Sequence, residues 1–303
     1  MNIDKLWAPA TKTVFDSWAN DKTAAKRAAQ PVPADLVSVC VTLYNYERFV
    51  EECLDSVAAQ THEKLELLVI DDASPKDNSA ETAAAWAEKN DARFHRVRVL
   101  AHVRNQGPAE ARNTVFREAA GEFVFIIDAD NDIFPRAIAR LYDAAHTGGF
   151  DATYSQIVKF GDEMAIGEAD IWDIVEMRRQ NYVDVMALVR RAAWAAVDGF
   201  THIDDGWEDY DFWLKFIDAG FSAAYVPEIL CRYRVHGKSR TATEAHAAHE
   251  DLRVLMAFRH IGFGLMPLEL AAMEAAETQA TPPMPASPDV KPAPKAAKRR
   301  VTP

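Results

Sequence analysis

Apolar runs that stop abruptly in carboxylates constrain this chain more than any other feature. In "FVFIIDADNDIFP" (123–135), five apolar residues, Phe123 to Ile127, run straight into Asp128, Asp130, Asn131 and Asp132. A run of this length, rich in β-branched and aromatic side chains, predicts a strand covered on both faces. Carboxylates crowded at its C-terminal end repel one another unless a cation sits among them. A solvated turn is the competing reading, because Asp and Asn form turns well and Pro135 can start a helix. On these residues alone the two readings stand level.

The stretches around this one set the fold class. "LVSVCVTLY" (36–44), "LELLVIDD" (65–72), "RVRVLAH" (96–102) and "EFVFIID" (122–128) read as strands. Between them, 47–60, 78–90 and 107–121 carry helical spacing, the first through Phe49, Val50, Cys53, Leu54 and Val57. Strands alternating with helices through short connections mean βαβ units and an α/β fold with a mostly parallel central sheet flanked by helices. Ligands of such sheets collect at the C-terminal strand ends, where Asp71–Asp72 and Asp128–Asp132 both fall. The second half is less regular. It predicts strands at 151–160 and 183–191, an amphipathic helix at 208–221, an extended segment at 222–237 and a last helix from about 243 to 261.

Domain organisation follows from where this order starts and stops. Residues 1–35 read as an extension with helical patches around Trp7–Trp18 and Ala24–Ala29, ending in a linker at Pro31 and Pro33. Residues 36–264 form the ordered domain, and 265–303 a C-terminal segment. From about 278 that segment holds seven of the fifteen prolines and is expected to be disordered, with too little apolar surface to bury. The formal net charge of −12 argues against nucleic-acid binding, since it would repel a phosphate backbone. Thr278–Pro303 runs against that balance, with five basic residues to one acid; it reads first as a solubilising appendage and second as a peripheral contact for an anionic membrane surface or a partner. Cys40, Cys53 and Cys231 show no metal spacing. With no roughly 20-residue apolar span and no signal-peptide core, the expected location is the cytoplasm.

Two common nucleotide sites of α/β folds are excluded by their missing glycines. Neither G-x-G-x-x-G nor G-x-x-x-x-G-K-[ST] occurs, and the first strand leads instead into "TLYNYERF".

Taken together, residues 37–74, "RNQGPAEARNTVFREAAGEFVFIIDADN" (104–131) and "WEDYDFWLKFIDAGF" (207–221) resemble family 2 glycosyltransferases of the GT-A fold. These are inverting, metal-dependent enzymes with nucleotide-sugar donors. The likeness spans roughly 36–240, with four motifs in the family's order. It implies a GT-A type single domain, a Rossmann-like nucleotide-binding half plus an acceptor-binding half. The donor would be a nucleotide-diphosphate sugar, with UDP as the expected nucleotide, and the acceptor a carbohydrate or glycoconjugate hydroxyl.

Matched position by position, the resemblance assigns Thr42 and Tyr44 to the nucleoside pocket, Tyr44 stacking on the base as aromatics do. Asp72 would accept from uracil N3–H. Arg112 and Asn113 match the family's "ARN", with Arg112 neutralising diphosphate charge or holding a loop over the base. Asp128-Ala129-Asp130 is its DxD motif. Asp130 would ligate Mg²⁺ or Mn²⁺ and Asp128 would contact sugar or ribose hydroxyls. Magnesium commonly takes one or two protein carboxylates and completes its shell with phosphate and water. His236 would complete the metal or pyrophosphate site, with Arg234, Lys238, Ser239 and Arg240 closing over the diphosphate. Glu208 and Asp209 match the family's acidic pair, with Asp209 as catalytic base and Glu208 orienting the acceptor or a loop.

Two other functions share parts of this pattern. A non-catalytic nucleotide-sugar-binding module would keep Asp72 and the DxD but has no use for a base. A sugar nucleotidyltransferase would need a glycine-rich loop after the first strand, which is absent here.

Overall fold

The computed structural model describes residues 11–20, 31–237 and 248–264, with Glu269 and Ala272, and in it the apolar runs become the middle of one sheet. Its strands are β1 (Thr11–Asp16), β2 (Val37–Leu43), β3 (Leu65–Asp71), β4 (Arg96–His102), β5 (Phe123–Asp128), β6 (Asp132–Ile133), β7 (Ala152–Gly161), β8 (Ala165–Ile166), β9 (Ala187–Arg190) and β10 (Ala223–Val235). They lie in the order β1-β4-β3-β2-β5-β9-β7-β10-β6, and β8 pairs with β7. The block β4-β3-β2-β5 is parallel, as is the long β7–β10 pair, whereas β1, β6, β8 and β9 run against their neighbours. The sheet is therefore mixed, with its longer pairings mostly parallel.

The helices are α1 (Glu47–Ala58), α2 (Ser79–Asn90), α3 (Pro108–Glu118), α4 (Ala137–Gly148), α5 (Glu208–Asp218) and α6 (His249–Arg259), with shorter helical turns between some strands. Every residue of β2 and β3 is buried, as strands covered by helices on both faces must be. Successive residues feed different cores. Val39, Val41, Leu67 and Val69 pack with Val50, Cys53 and Leu54 of α1, while Cys40, Leu68 and Ile70 join Phe116 of α3 and Phe212 of α5. Pro227 has no N–H to give, and the β7–β10 register shifts beside it between Val226 and Ile229.

Two sequence expectations need correction. Residues 11–20 do not stand outside the sheet in a helix. Thr11–Asp16 pairs antiparallel with β4, and only Ser17–Asn20 is helical. The edge of β4 offers backbone partners that a local helix does not. Asp16 ion-pairs Arg96 at 2.7 Å and Arg98 at 3.1 Å, and Arg96 lies 4.2 Å over the Trp18 ring. The strand expected at 183–191 is only Ala187–Arg190, the residues before it being used otherwise, as described below. The last helix runs His249–Arg259 among the described residues. The stretch before it, along with Ala24–Ala29, Lys238, Ser239, Arg240 and the proline-rich tail, lies outside them.

Candidate active site

The C-terminal ends of β2, β3 and β5 open onto a cleft of about 2190 Å³, larger than the roughly 300–1,000 Å³ that one small ligand needs. Thr42, Tyr44, Asp72, Arg112, Asp128, Asp130, Glu208 and Asp209 all line it. The turns that present them hold strain. Asn45, Ala73 and Trp207 have φ of 55°, 58° and 63° without being glycine, and each sits where a strand or loop delivers a cleft residue.

At the end of β5, Asp128 accepts a short hydrogen bond from the Thr42 hydroxyl of the adjoining strand. Arg112 of α3 reaches Asp128 through Nη2, 3.2 Å from both carboxylate oxygens, and Glu208 through Nη1 at 3.0 Å. One buried guanidinium thus ties the DxD strand to the first residue of α5, 80 positions along the chain. Buried as it is, Arg112 is held firmly charged by Asp128 and Glu208, with Asp209 adding to the effect.

Asp130 is buried, and its Oδ2 lies 2.9 Å from Nε2 of His236. The imidazole packs between Tyr46 and Phe49, with ring centroids 5.7 and 5.5 Å away. Burial, and then the charge of Asp128, raises the Asp130 carboxyl. A carboxylate beside an imidazole at a cleft wall is a donor set that Mg²⁺ or Mn²⁺ accepts. The residues fit a metal in that sense, although no group of three or more ligating side chains occurs among the described residues. Arg234 is tied down here, not free to swing. Its Nε donates to the Asp130 carbonyl at 2.8 Å and its Nη2 pairs with Glu52 at 2.5 Å.

Asp209, at the start of α5, differs from Glu208 next to it. Its Oδ2 accepts from Asn181 Nδ2 at 3.1 Å and its Oδ1 from the Tyr210 N–H at 2.8 Å, and among the described residues no cation pairs with it directly. Burial, and then the charge of Glu208, pushes its carboxyl up to about 6. Asp211 points elsewhere. It is fully buried against Arg259 Nε at 2.6 Å and His260 Nε2 at 2.9 Å, beneath α6.

Two expected donor contacts turn inward. Asn113 lies off the cleft, its amide clamping the segment before α5. Nδ2 donates to the Phe200 carbonyl at 2.8 Å, and Oδ1 accepts from the Phe200 N–H and from Trp194 Nε1. Asp72 lines the cleft, but its carboxylate already accepts from the Gln106 and Gly107 N–H groups at 2.8 and 2.7 Å and meets His102 Nδ1 at 2.6 Å. A carboxylate has about four acceptor positions, so three are spent, two of them on shaping the loop before α3. The sequence carried no signal for His102, Tyr46 or the cleft-lining stretch Asn181–Val185, because none of them has a motif and their positions depend on how the chain returns to the sheet.

Comparison with known proteins follows this geometry. Residues 38–189, half of the chain, match the model of "Glycosyl transferase family 2". The "Uncharacterized glycosyltransferase EpsJ" of Bacillus subtilis is 38% identical over 116 residues, covering 38% of this chain and 32% of EpsJ, so the chain spans about a third of that relative. Among solved structures, Staphylococcus aureus TarS 1-349, in complex with UDP-GlcNAc, superposes with a TM-score of 0.63 at 19% identity, covering 77% of this chain and 68% of TarS. The mannosyltransferase PcManGT of Pyrobaculum calidifontis, in complex with GDP-Man and Mn²⁺, gives 0.56 at 21% identity over 86% of this chain and 82% of PcManGT. The two likenesses establish a GT-A type fold.

Proposed function

The chain belongs to glycosyl transferase family 2, and from that membership we propose that it moves a sugar, with inversion, from a nucleotide-diphosphate donor to an acceptor hydroxyl. UDP is the nucleotide we assign, and the product a polysaccharide or glycoconjugate. The observation that carries the reading is Arg112, which holds Asp128 and Glu208 in one cleft while Asp209 beside them has no paired cation among the described residues. A binding module has no need of that last feature.

In the transfer, the acceptor oxygen forms a bond to the anomeric carbon as the bond from that carbon to the diphosphate oxygen breaks. The acceptor proton passes to Asp209, and the electron pair leaves with the nucleotide. A general base works best when its pKa lies near the working pH, and a carboxyl at about 6 meets that requirement better than one at 3.8. Asn181 holds Oδ2 from the side, fixing the direction in which the base faces. Asp130 and His236 would hold the divalent metal, which when bound screens the negative charge of the diphosphate. Tyr44, 40% exposed in the cleft lining, would stack on the base. Asp72 serves that pocket chiefly by fixing Gln106 and Gly107.

Incubation with UDP-sugars, Mn²⁺ and a set of carbohydrate acceptors tests the proposal. Acceptor-dependent release of UDP is the expected result. Nucleotide binding without turnover would leave only a binding module, and release of pyrophosphate would mean a nucleotidyltransferase.

A further inference from the structure

Asp184 takes no part in the chemistry above, yet it lines the same cleft. It sits in the stretch between Asn181, which holds the base, and β9. Its Oδ1 accepts from the Met186 N–H at 2.8 Å. Its second oxygen has no hydrogen-bond partner among the described residues and is not sealed off from the cleft. Around it, within charge–charge range, are Asp209 from α5, Asp128 from β5 and Arg112 from α3. These mark the base on one side and the donor motif on the other.

A turn alone does not explain a carboxylic acid here. The bond to Met186 needs one acceptor oxygen, which asparagine or serine supplies as well. Setting a third acid beside Asp209 and Asp128 costs electrostatic free energy that such a turn would not require. Burial above all, with those two charges, pushes the Asp184 carboxyl up to about 7. Near neutral pH it therefore spends much of its time as an acid that donates one hydrogen bond and accepts another. A sugar hydroxyl asks for both.

We propose that Asp184 is a specificity residue for the transferred monosaccharide, its free oxygen hydrogen-bonding a ring hydroxyl of the sugar carried on the nucleotide diphosphate. This rests on the glycosyltransferase reading. In-line transfer puts that sugar between the base and the diphosphate, the space that Asp209 and Asp128 bracket. On this reading the nucleotide would lie toward Tyr44 and the Gln106 loop, away from Asp184.

The test is calorimetry with Mn²⁺ on the intact chain and on Asp184→Ala and Asp184→Asn, titrating UDP, UDP-glucose, UDP-galactose, UDP-N-acetylglucosamine, GDP and GDP-mannose. In the unaltered protein, one sugar nucleotide should bind more tightly than its bare nucleotide and than its epimers. Asp184→Ala should lose that preference by roughly 10-fold or more while UDP affinity stays unchanged. Asp184→Asn keeps the Met186 bond and one donor, so it should recover part of the preference. The proposal is overturned if Asp184→Ala keeps the same ranking of sugars. It is also overturned if UDP and UDP-sugar affinity fall together with the melting temperature, the mark of a purely structural turn. Failure of the unaltered protein to bind any nucleotide would instead overturn the glycosyltransferase reading itself, before any variant is compared.

Discussion

On the proposed mechanism adjacent acids divide the work, because among the described residues only one has a paired cation. Glu208 is bound by Arg112 and Asp209 is not, although the two are neighbours on the chain. Asp209→Asn should therefore lower the transfer rate about 10²–10⁴-fold and leave the calorimetric affinity for UDP and metal nearly unchanged. Normal turnover in that variant, with Glu208→Gln inactive, would move the base one residue back. The base works ionised, so kcat/KM should fall as the pH drops through about 6, the value to which burial and Glu208 raise Asp209. Arg112 opposes that rise. In Arg112→Gln the acid limb of the pH–rate profile should accordingly move to higher pH. The same variant leaves Glu208 and Asp128 without their cation. Its cost in a denaturant melt should be about 3 kcal/mol, toward the low end for a broken buried pair because Asp128 is partly open to the cleft.

Helix α5 carries the acids, and its far side is held by ionic contacts rather than by apolar packing alone. His260 lies between Asp218, 2.9 Å from Nδ1, and Asp211, 2.9 Å from Nε2, so both ring nitrogens face carboxylates. Arg259 and Lys215 share Asp211, and Arg178 shares Asp218. Against burial, which alone would lower it, the two carboxylates raise the His260 pKa above 6.5. A raised histidine contributes its stability in full below the unfolded value and loses it as the pH rises through the folded one. The melting temperature should thus decline above pH 6.5 more steeply in the native chain than in His260→Gln. Equal slopes would show that the imidazolium contributes nothing. The turn into α3 is equally specific. Gly107 has φ 82°, and a Cβ there would sit 2.9 Å from the His202 ring. Gly107→Ala should cost about 1–3 kcal/mol and disturb the N–H that Asp72 accepts, weakening UDP binding in calorimetry.

For the molecule as a whole, the strand ends converge on a site with more negative than positive charge, and the ligand proposed for it is negative too. Binding of UDP should therefore require a divalent cation. Chelation with EDTA should weaken UDP affinity measured by calorimetry, and Asp130→Ala should abolish the response to Mn²⁺. Equal affinity with and without chelator would count against the metal. None of the helices among the described residues is long and apolar enough to cross a membrane.

What this sequence determined by itself was local. Runs such as Leu65–Asp71 and Phe123–Asp128 name their own strands, because a segment buried on both faces has no polar alternative, and the helical spacing of Val50, Cys53, Leu54 and Val57 names α1. The motif acids Asp128, Asp130, Glu208 and Asp209 could be read from the resemblance for the same reason, since each is set in a short pattern at or just beyond an element's end. What those patterns could not decide was which groups meet. Asn113 and Arg112 are adjacent on α3, yet one clamps Phe200 away from the cleft and the other joins Asp128 to Glu208. Asp72 is spent on a loop 34 and 35 residues further on, and Thr11–Asp16 becomes a strand only because β4 has an open edge to receive it. Asn181 enters the site from a stretch with no periodicity, and Asp184 from residues that read as strand but lie before β9. Hydrogen bonds and ion pairs of this kind join positions far apart in the chain, and the free energy that selects them exists only once the sheet has brought the partners together.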